Sequence, residues 1–105
     1  MTKFEIKRSE SNWYSFALKS SNGRTLLASE KHRTLLACKE AIQFIRKNRQ
    51  NDSCIKRITT VRGKLCFLVT GKTGELIATS RQYSTVRRRE GALLALKDHI
   101  ESASA

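Results

Sequence analysis

Three consecutive arginines, Arg87, Arg88 and Arg89, stand where the sequence pattern begins its last helix, and they are the strongest chemical signal in the chain. A helix N-terminus favours anions by about 0.3–1 kcal/mol per charge, so three cations in a first turn oppose folding and repel one another. Beside backbone N–H groups that a helix leaves free, they make that helix end an anion site. A second concentration lies in residues 46–64, where Arg46, Lys47, Arg49, Lys56, Arg57, Arg62 and Lys64 face Asp52 alone. The chemistry these residue types offer is phosphate recognition. Trp13 adds a different one. By strand alternation it points to the open face of a sheet with Lys19 and Lys7, and Lys64 stands at its matching position in the second half. An exposed aromatic among lysines is the layout of a base-stacking platform, where a stack contributes ~1–3 kcal/mol per base. The other placement folds Trp13 over the sheet edge as satellite core. Spacing leaves both open.

Other chemistries lack their ingredients. Glu10, Glu30, Glu40 and Glu75 are scattered singly, usually beside a cation, as solvated surface pairs are. Cys38, Cys54 and Cys66 form no CxxC pair, and His32 and His99 lie far apart, so no metal-ligand spacing arises. The cysteines fall in or beside predicted elements and read as small buried filler. Gly71-Lys72-Thr73-Gly74 has neither the spacing of a phosphate-binding loop nor a helix behind it. The expectation is a protein that is not an enzyme, with no metal and no cofactor.

Charge bounds the partner. The 105 residues carry 21 Lys+Arg against 9 Asp+Glu, a net +12. So small a body repels itself at that charge, which points to a polyanionic partner and favours a monomer. A dimer through unpaired sheet edges is the alternative once salt or a polyanion screens the charge. The opening Met1-Thr2-Lys3-Phe4-Glu5-Ile6-Lys7 lacks the apolar core of a signal peptide, and no apolar run approaches the ~20 residues of a membrane span. A cytoplasmic protein with no membrane partner is expected.

The elements that position these residues come in two sets. Apolar alternation predicts strands at 3–8, 13–19 and 24–30, with Phe4 and Ile6, then Tyr14, Phe16 and Leu18, facing inward. Thr34 offers a cap for a helix to about Asn48, with Leu35, Cys38, Ala41, Ile42 and Ile45 along one stripe. Strands at 54–60, 64–70 and 75–80 follow, with Leu65, Phe67 and Val69 inward, and then a helix capped by Ser84 or Thr85 that runs to about Glu101. The two sets match at a gapless offset of 51 residues: Phe16 with Phe67, Ser29 with Ser80, Thr34 with Thr85, Ala41 with Ala92. Asn22-Gly23 and Thr73-Gly74 recur at one turn, where glycine supplies the positive φ. The pattern predicts a single domain over 1–105, built of repeat one (about 3–51) and repeat two (about 54–102), since neither half buries enough surface alone.

The run Lys19-Ser20-Ser21-Asn22-Gly23 with Ala28-Ser29-Glu30 carries a family pattern. So do Ile77-Ala78-Thr79-Ser80 with Tyr83-Ser84, and the helix start Glu90-Gly91-Ala92-Leu93. Over about residues 3–99 the chain resembles the YegP-like family, small bacterial, archaeal and phage-borne proteins made of tandem β-β-β-α repeats. His32 departs from it, standing where the first repeat usually has a tyrosine. The resemblance implies an α+β fold: two tandem repeats forming a single antiparallel sheet, two helices on one face, pseudo-twofold symmetry. It brings no established catalytic activity and so no site residues. The functional reading is a small basic binding module that contacts nucleic acid through its phosphates, without strong sequence specificity. The alternative is a protein-interaction or inhibitor module, of the kind phages and mobile elements carry, docking on an acidic protein.

Overall fold

The computed structural model describes residues 2–103. Its elements run β1 (Lys3–Arg8), β2 (Tyr14–Lys19), β3 (Thr25–Ser29), α1 (Leu35–Lys47), β4 (Ile55–Thr59), β5 (Leu65–Thr70), β6 (Leu76–Ser80) and α2 (Val86–Ser102), with a 3-10 turn at Asp52–Cys54 before β4. The strands form one antiparallel sheet of six in the order β1-β2-β3-β6-β5-β4. The fold is α+β, with two helices. Predicted bounds hold to within one or two residues, and Thr85 rather than Ser84 caps α2, its hydroxyl accepting from the Arg88 amide at 3.1 Å. Thr34 does the same for α1, accepting from Ala37 at 3.0 Å.

Register explains the core. Phe4 pairs with Leu18, Leu18 with Leu27, Ala78 with Val69 and Val69 with Ile55, so their side chains share one face. On that face Phe4, Phe16, Leu18, Leu27, Phe67, Val69 and Ala78 join Cys38, Ile42 and Ile45 of α1 and Leu93, Leu96 and Ile100 of α2 in a single buried cluster. Phe16 and Phe67, the predicted counterparts, are both buried. All three cysteines are free and buried, as filler should be, and burial pushes the Cys38 thiol above its ordinary value.

Two details were not predicted. Leu18 pairs with Leu27 but Lys19 with Thr25, so Leu26 is an extra residue; Ile77 is its counterpart between Val69–Ala78 and Thr70–Leu76. Such a bulge breaks strict alternation. It lets Leu26 and Leu27 both pack on the core side, and likewise Ile77 and Ala78. The second detail explains the matched serines. β2 stops pairing with β3 at Ala17–Ala28, which would leave the Phe16 amide unpaired. Ser29 Oγ accepts from that amide at 2.8 Å and donates to the Glu30 carbonyl at 2.9 Å. Ser80 accepts from Phe67 at 2.9 Å and donates to Arg81 at 2.8 Å. Beyond each serine the chain bridges back, Tyr14 to His32 and Leu65 to Tyr83. The Tyr83 ring stacks on Phe67 at 6.4 Å, and His32 fills the same place against Phe16 at 6.5 Å. His32 therefore keeps in the first half the stack that Tyr83 makes in the second.

Four hairpins close alike. In each, the first residue donates to the fifth residue's carbonyl and accepts from the fourth residue's amide: Ser9–Trp13, Ser20–Arg24, Thr60–Lys64 and Gly71–Glu75. The fourth residue carries the positive φ, as Asn12 (63°), Gly23 (83°), Gly63 (79°) and Gly74 (87°). The hairpins at 20–24 and 60–64 and the segment that leaves β6 lie at one end of the strands. Those at 9–13 and 71–75 and the segment that leaves β3 lie at the other.

Candidate nucleic-acid interface

The first end collects cations. Arg24 closes the β2–β3 hairpin, and Arg62 and Lys64 close the β4–β5 hairpin. Arg81 leaves β6, and Arg87 and Arg88 open α2. All six are exposed. The mutual backbone bonds of Leu65 and Tyr83, at 3.0 and 2.6 Å, draw the Lys64 hairpin against the start of α2. Residues 20–24, 60–64 and 81–88 contain these six cations and no carboxylate. The matching positions at the far end, 71–75, 9–13 and 30–37, contain Lys31, Arg33 and Lys72 against Glu10, Glu30 and Glu75. One end has a net charge of +6 and the other none. They are called the basic end and the mixed end below.

At the basic end Arg24, Arg81 and Arg88 line a groove of about 410 Å³ with Gln82, Tyr83, Ser84, Gly91 and Ala92. Among the described residues none of these three guanidinium groups pairs with a carboxylate. Partial burial pushes the Tyr83 phenol upward, and the nearby Arg81 charge works against that rise. Thr85 holds the Arg88 amide and carbonyl 85 takes the Arg89 amide. The amides of Val86 and Arg87 are the ones the helix geometry leaves unpaired. The arrangement offers planar N–H forks, hydroxyls and helix amides to an anion, and no base or nucleophile pair.

The residues singled out from sequence divide. Arg87, Arg88, Arg62 and Lys64 come together here, with Lys19 on the margin, its ammonium donating to Thr25 at 2.7 Å. Arg89 and Arg57 are joined elsewhere. Both donate to Glu90, at 3.0 and 2.9 Å, and only 11% of the Arg89 side chain is exposed. Desolvation raises the Glu90 carboxyl, but the hydrogen bonds and charges of Arg57 and Arg89 outweigh it and hold the group below its ordinary value. Lys56 lies on the outer face of β4 opposite Leu68. Arg46 and Arg49 are committed to helix ends: Arg46 donates to the Ile100 and Ala103 carbonyls at 3.3 and 2.7 Å and lies over the Phe4 ring. Arg49 donates to the Arg46 carbonyl and pairs with Glu101. These cations satisfy the carbonyls that α1 and α2 leave open. Lys47 lies beside Lys72, toward the mixed end.

Trp13 also belongs to the mixed end. It precedes β2, half-buried, with the Arg33 guanidinium 4.7 Å from its ring centre. Lys19 is at the opposite end of the strand, about 20 Å away at ~3.3 Å per residue. The expected Trp13–Lys19 platform is therefore split, and a cation already covers one face of the ring. Arg24 and Arg81 were missed, though the sequence held their signal. At the 51-residue offset they replace Glu75 and Glu30, a charge reversal at two positions of one groove.

Among the described residues no cluster of His, Cys, Asp and Glu is placed to hold a metal ion, and no helix is long and apolar enough to cross a membrane.

Known proteins match this architecture. A family profile described as a domain of unknown function (DUF1508) matches residues 9–55. The UPF0339 protein YegP of Escherichia coli K12 is 29% identical over 94 residues, covering 90% of this chain and 86% of its own. A UPF0339 protein from the ptx operon 5' region of Stutzerimonas stutzeri is 26% identical over 100 residues, covering 95% and 90%. The solution structure of E. coli YegP superposes with a TM-score of 0.89 at 27% identity, covering 98% of this chain and 89% of that one. A UPF0339 protein of Shewanella oneidensis shares the fold at a TM-score of 0.89 and 19% identity, covering 98% and 88%. With a profile match over residues 9–55, relatives that align along nine-tenths of its length and a solved fold in common, the chain is YegP-like in sequence and fold.

Proposed function

We propose that this chain is a non-catalytic nucleic-acid-binding module that contacts phosphates with its basic end. The observation that carries the reading is the six exposed cations in residues 20–24, 60–64 and 81–88 with no carboxylate among them, against a neutral set at the matching positions. Folding does not call for them. Arg87 and Arg88 oppose the α2 macrodipole, so an outside anion is what makes their position favourable. The same reading takes the chain as one domain of two tandem β-β-β-α copies, related by a pseudo-twofold axis through the β3–β6 pair. One copy of each matched surface has then diverged to carry charge. Contacts to phosphate fix position rather than sequence, so little discrimination among bases is expected. The module acts in the cytoplasm as a monomer, because the net charge opposes a second copy at low salt.

The test is fluorescence anisotropy with labelled single-stranded and duplex oligonucleotides from 50 to 300 mM salt. Binding tighter than ~100 µM at the lowest salt, falling steeply as salt rises, supports the reading. Absence of binding to both overturns it.

A second reading has its own observation. Leu36, 66% exposed, and Phe44 line a groove on α1 with Lys39, Lys47 and Lys72, three cations against the single carboxylate Glu40. Apolar surface bordered by cations suits an acidic protein partner. If neither oligonucleotide binds, pull-down against acidic proteins, with Leu36→Asp as the control that abolishes capture, tests this reading.

A further inference from the structure

We propose that the groove between Arg24, Arg81 and Arg88 is a seat for a terminal phosphate monoester, so that the protein binds phosphorylated strand ends in preference to the interior of a strand. The inference rests on the nucleic-acid reading and narrows it to one subsite. Two segments far apart in sequence, the β2–β3 hairpin with Arg24 and the stretch 81–88 with Arg81 and Arg88, bring three arginines to line this groove, and none of the three is neutralised among the described residues. A backbone phosphodiester carries one negative charge. A terminal monoester carries about −1.5 to −2 at neutral pH and presents three acceptor oxygens. Three unpaired cations lining one groove are therefore better matched by the monoester, which also accepts bidentate forks from more than one arginine. The groove's volume of about 410 Å³ falls in the range of small-molecule sites, ample for one terminal nucleotide. Its backbone frame is fixed. Tyr83 is bonded through its backbone to Leu65 in both directions and stacked on Phe67, and Arg24 is held by its hairpin. At the matching positions of the other end Glu75 and Glu30 would repel the same ligand, and Ala37 offers it no charge.

The experiment uses one single-stranded 12-mer sequence in three forms, with a 5'-phosphate, a 3'-phosphate or hydroxyls at both ends, each with an internal label. Anisotropy at fixed salt should show at least one phosphorylated form binding ~10-fold more tightly than the hydroxyl form, as one added charge-assisted contact provides. The double variant Arg24→Gln/Arg81→Gln should bring all three forms within ~2-fold of one another. Arg62→Gln/Lys64→Gln, at the same end but outside the groove, should weaken all three alike and keep the preference. Equal binding of the three forms by the unaltered protein overturns this inference and leaves the interface reading standing. A preference that survives Arg24→Gln/Arg81→Gln removes the groove as its seat. Binding of none of them overturns both readings.

Discussion

Arg24 and Arg81 stand at one end of the sheet where Glu75 and Glu30 stand at the other, and the backbone around them is the same. The hairpin that ends in Arg24 closes with the same two hydrogen bonds as the hairpin that ends in Glu75. The serine before Arg81 holds Phe67 as the serine before Glu30 holds Phe16. A fold that needed charge at these positions would not accept both signs. The difference teaches where selection on the surface acts independently of the scaffold. What the two ends share, serines, caps, positive-φ residues and ring stacks, builds the sheet. What they do not share is the charge, and it is concentrated at one end.

The sharpest way to break the shared part is to remove the serines. Ser80→Ala leaves the buried Phe67 amide without its partner, and a loss of ~1–3 kcal/mol follows. Ser29→Ala should cost the lower part of that range, because its site is only partly buried. Thermal unfolding reads the pair, at roughly 4–8 °C per kcal/mol in a domain of this size. If only one serine matters, the two ends are not equivalent scaffolds.

The unshared part predicts the opposite sign. Arg87→Gln and Arg88→Gln relieve the α2 N-terminus and should each raise stability by ~0.3–1 kcal/mol at low salt, with the gain fading as salt is added. The matching changes Leu36→Gln and Ala37→Gln meet no such strain and should stay within ~0.5 kcal/mol of the parent. Destabilisation by Arg88→Gln at low salt would mean that the arginine serves the fold.

A smaller effect separates the two halves by pH. Glu90 lies between Arg57 and Arg89, while Lys39 occupies its place in the first half. Its folded carboxyl is held below the unfolded value, so its contribution is present above about pH 4.3 and is lost as pH falls through the folded value. Glu90→Gln should therefore lower the melting temperature near pH 7, with the gap to the parent closing in strong acid. Lys39→Gln should open no gap that closes in this way. A constant gap for Glu90→Gln would show that the ion pairs contribute nothing there.

Much of the scaffold was legible because it obeys periodic rules. Alternation through Phe16 and Phe67, threonines 34 and 85 ahead of apolar stripes, and Gly23 and Gly74 at turns each leave a local signature. The bulges at Leu26 and Ile77 were not legible, since two adjacent apolar residues on one face break the period that alternation depends on. The site was half legible. Arg87 and Arg88 announce themselves by opposing a helix end, but Arg24 and Arg81 are single residues whose significance depends on strand order. Arg46 and Arg49 misled for a physical reason: a basic run after a helix reads as surface charge, whereas here both side chains close helix carbonyls. Trp13 and Lys19 were joined by sharing a face, though a strand's length separates them.

The central claim is that the basic end, rather than net charge spread over the molecule, contacts phosphate. Two triple variants with equal net charge test it: Arg24→Gln/Arg81→Gln/Arg88→Gln at the basic end and Lys31→Gln/Arg33→Gln/Lys72→Gln at the mixed end. The measurement is the slope of log affinity against log salt for a labelled duplex, which is about −0.9 per phosphate contacted. The account predicts that the basic-end variant flattens the slope by roughly two to three units, while the mixed-end variant shifts it by less than about one. Equal flattening by both variants would contradict it.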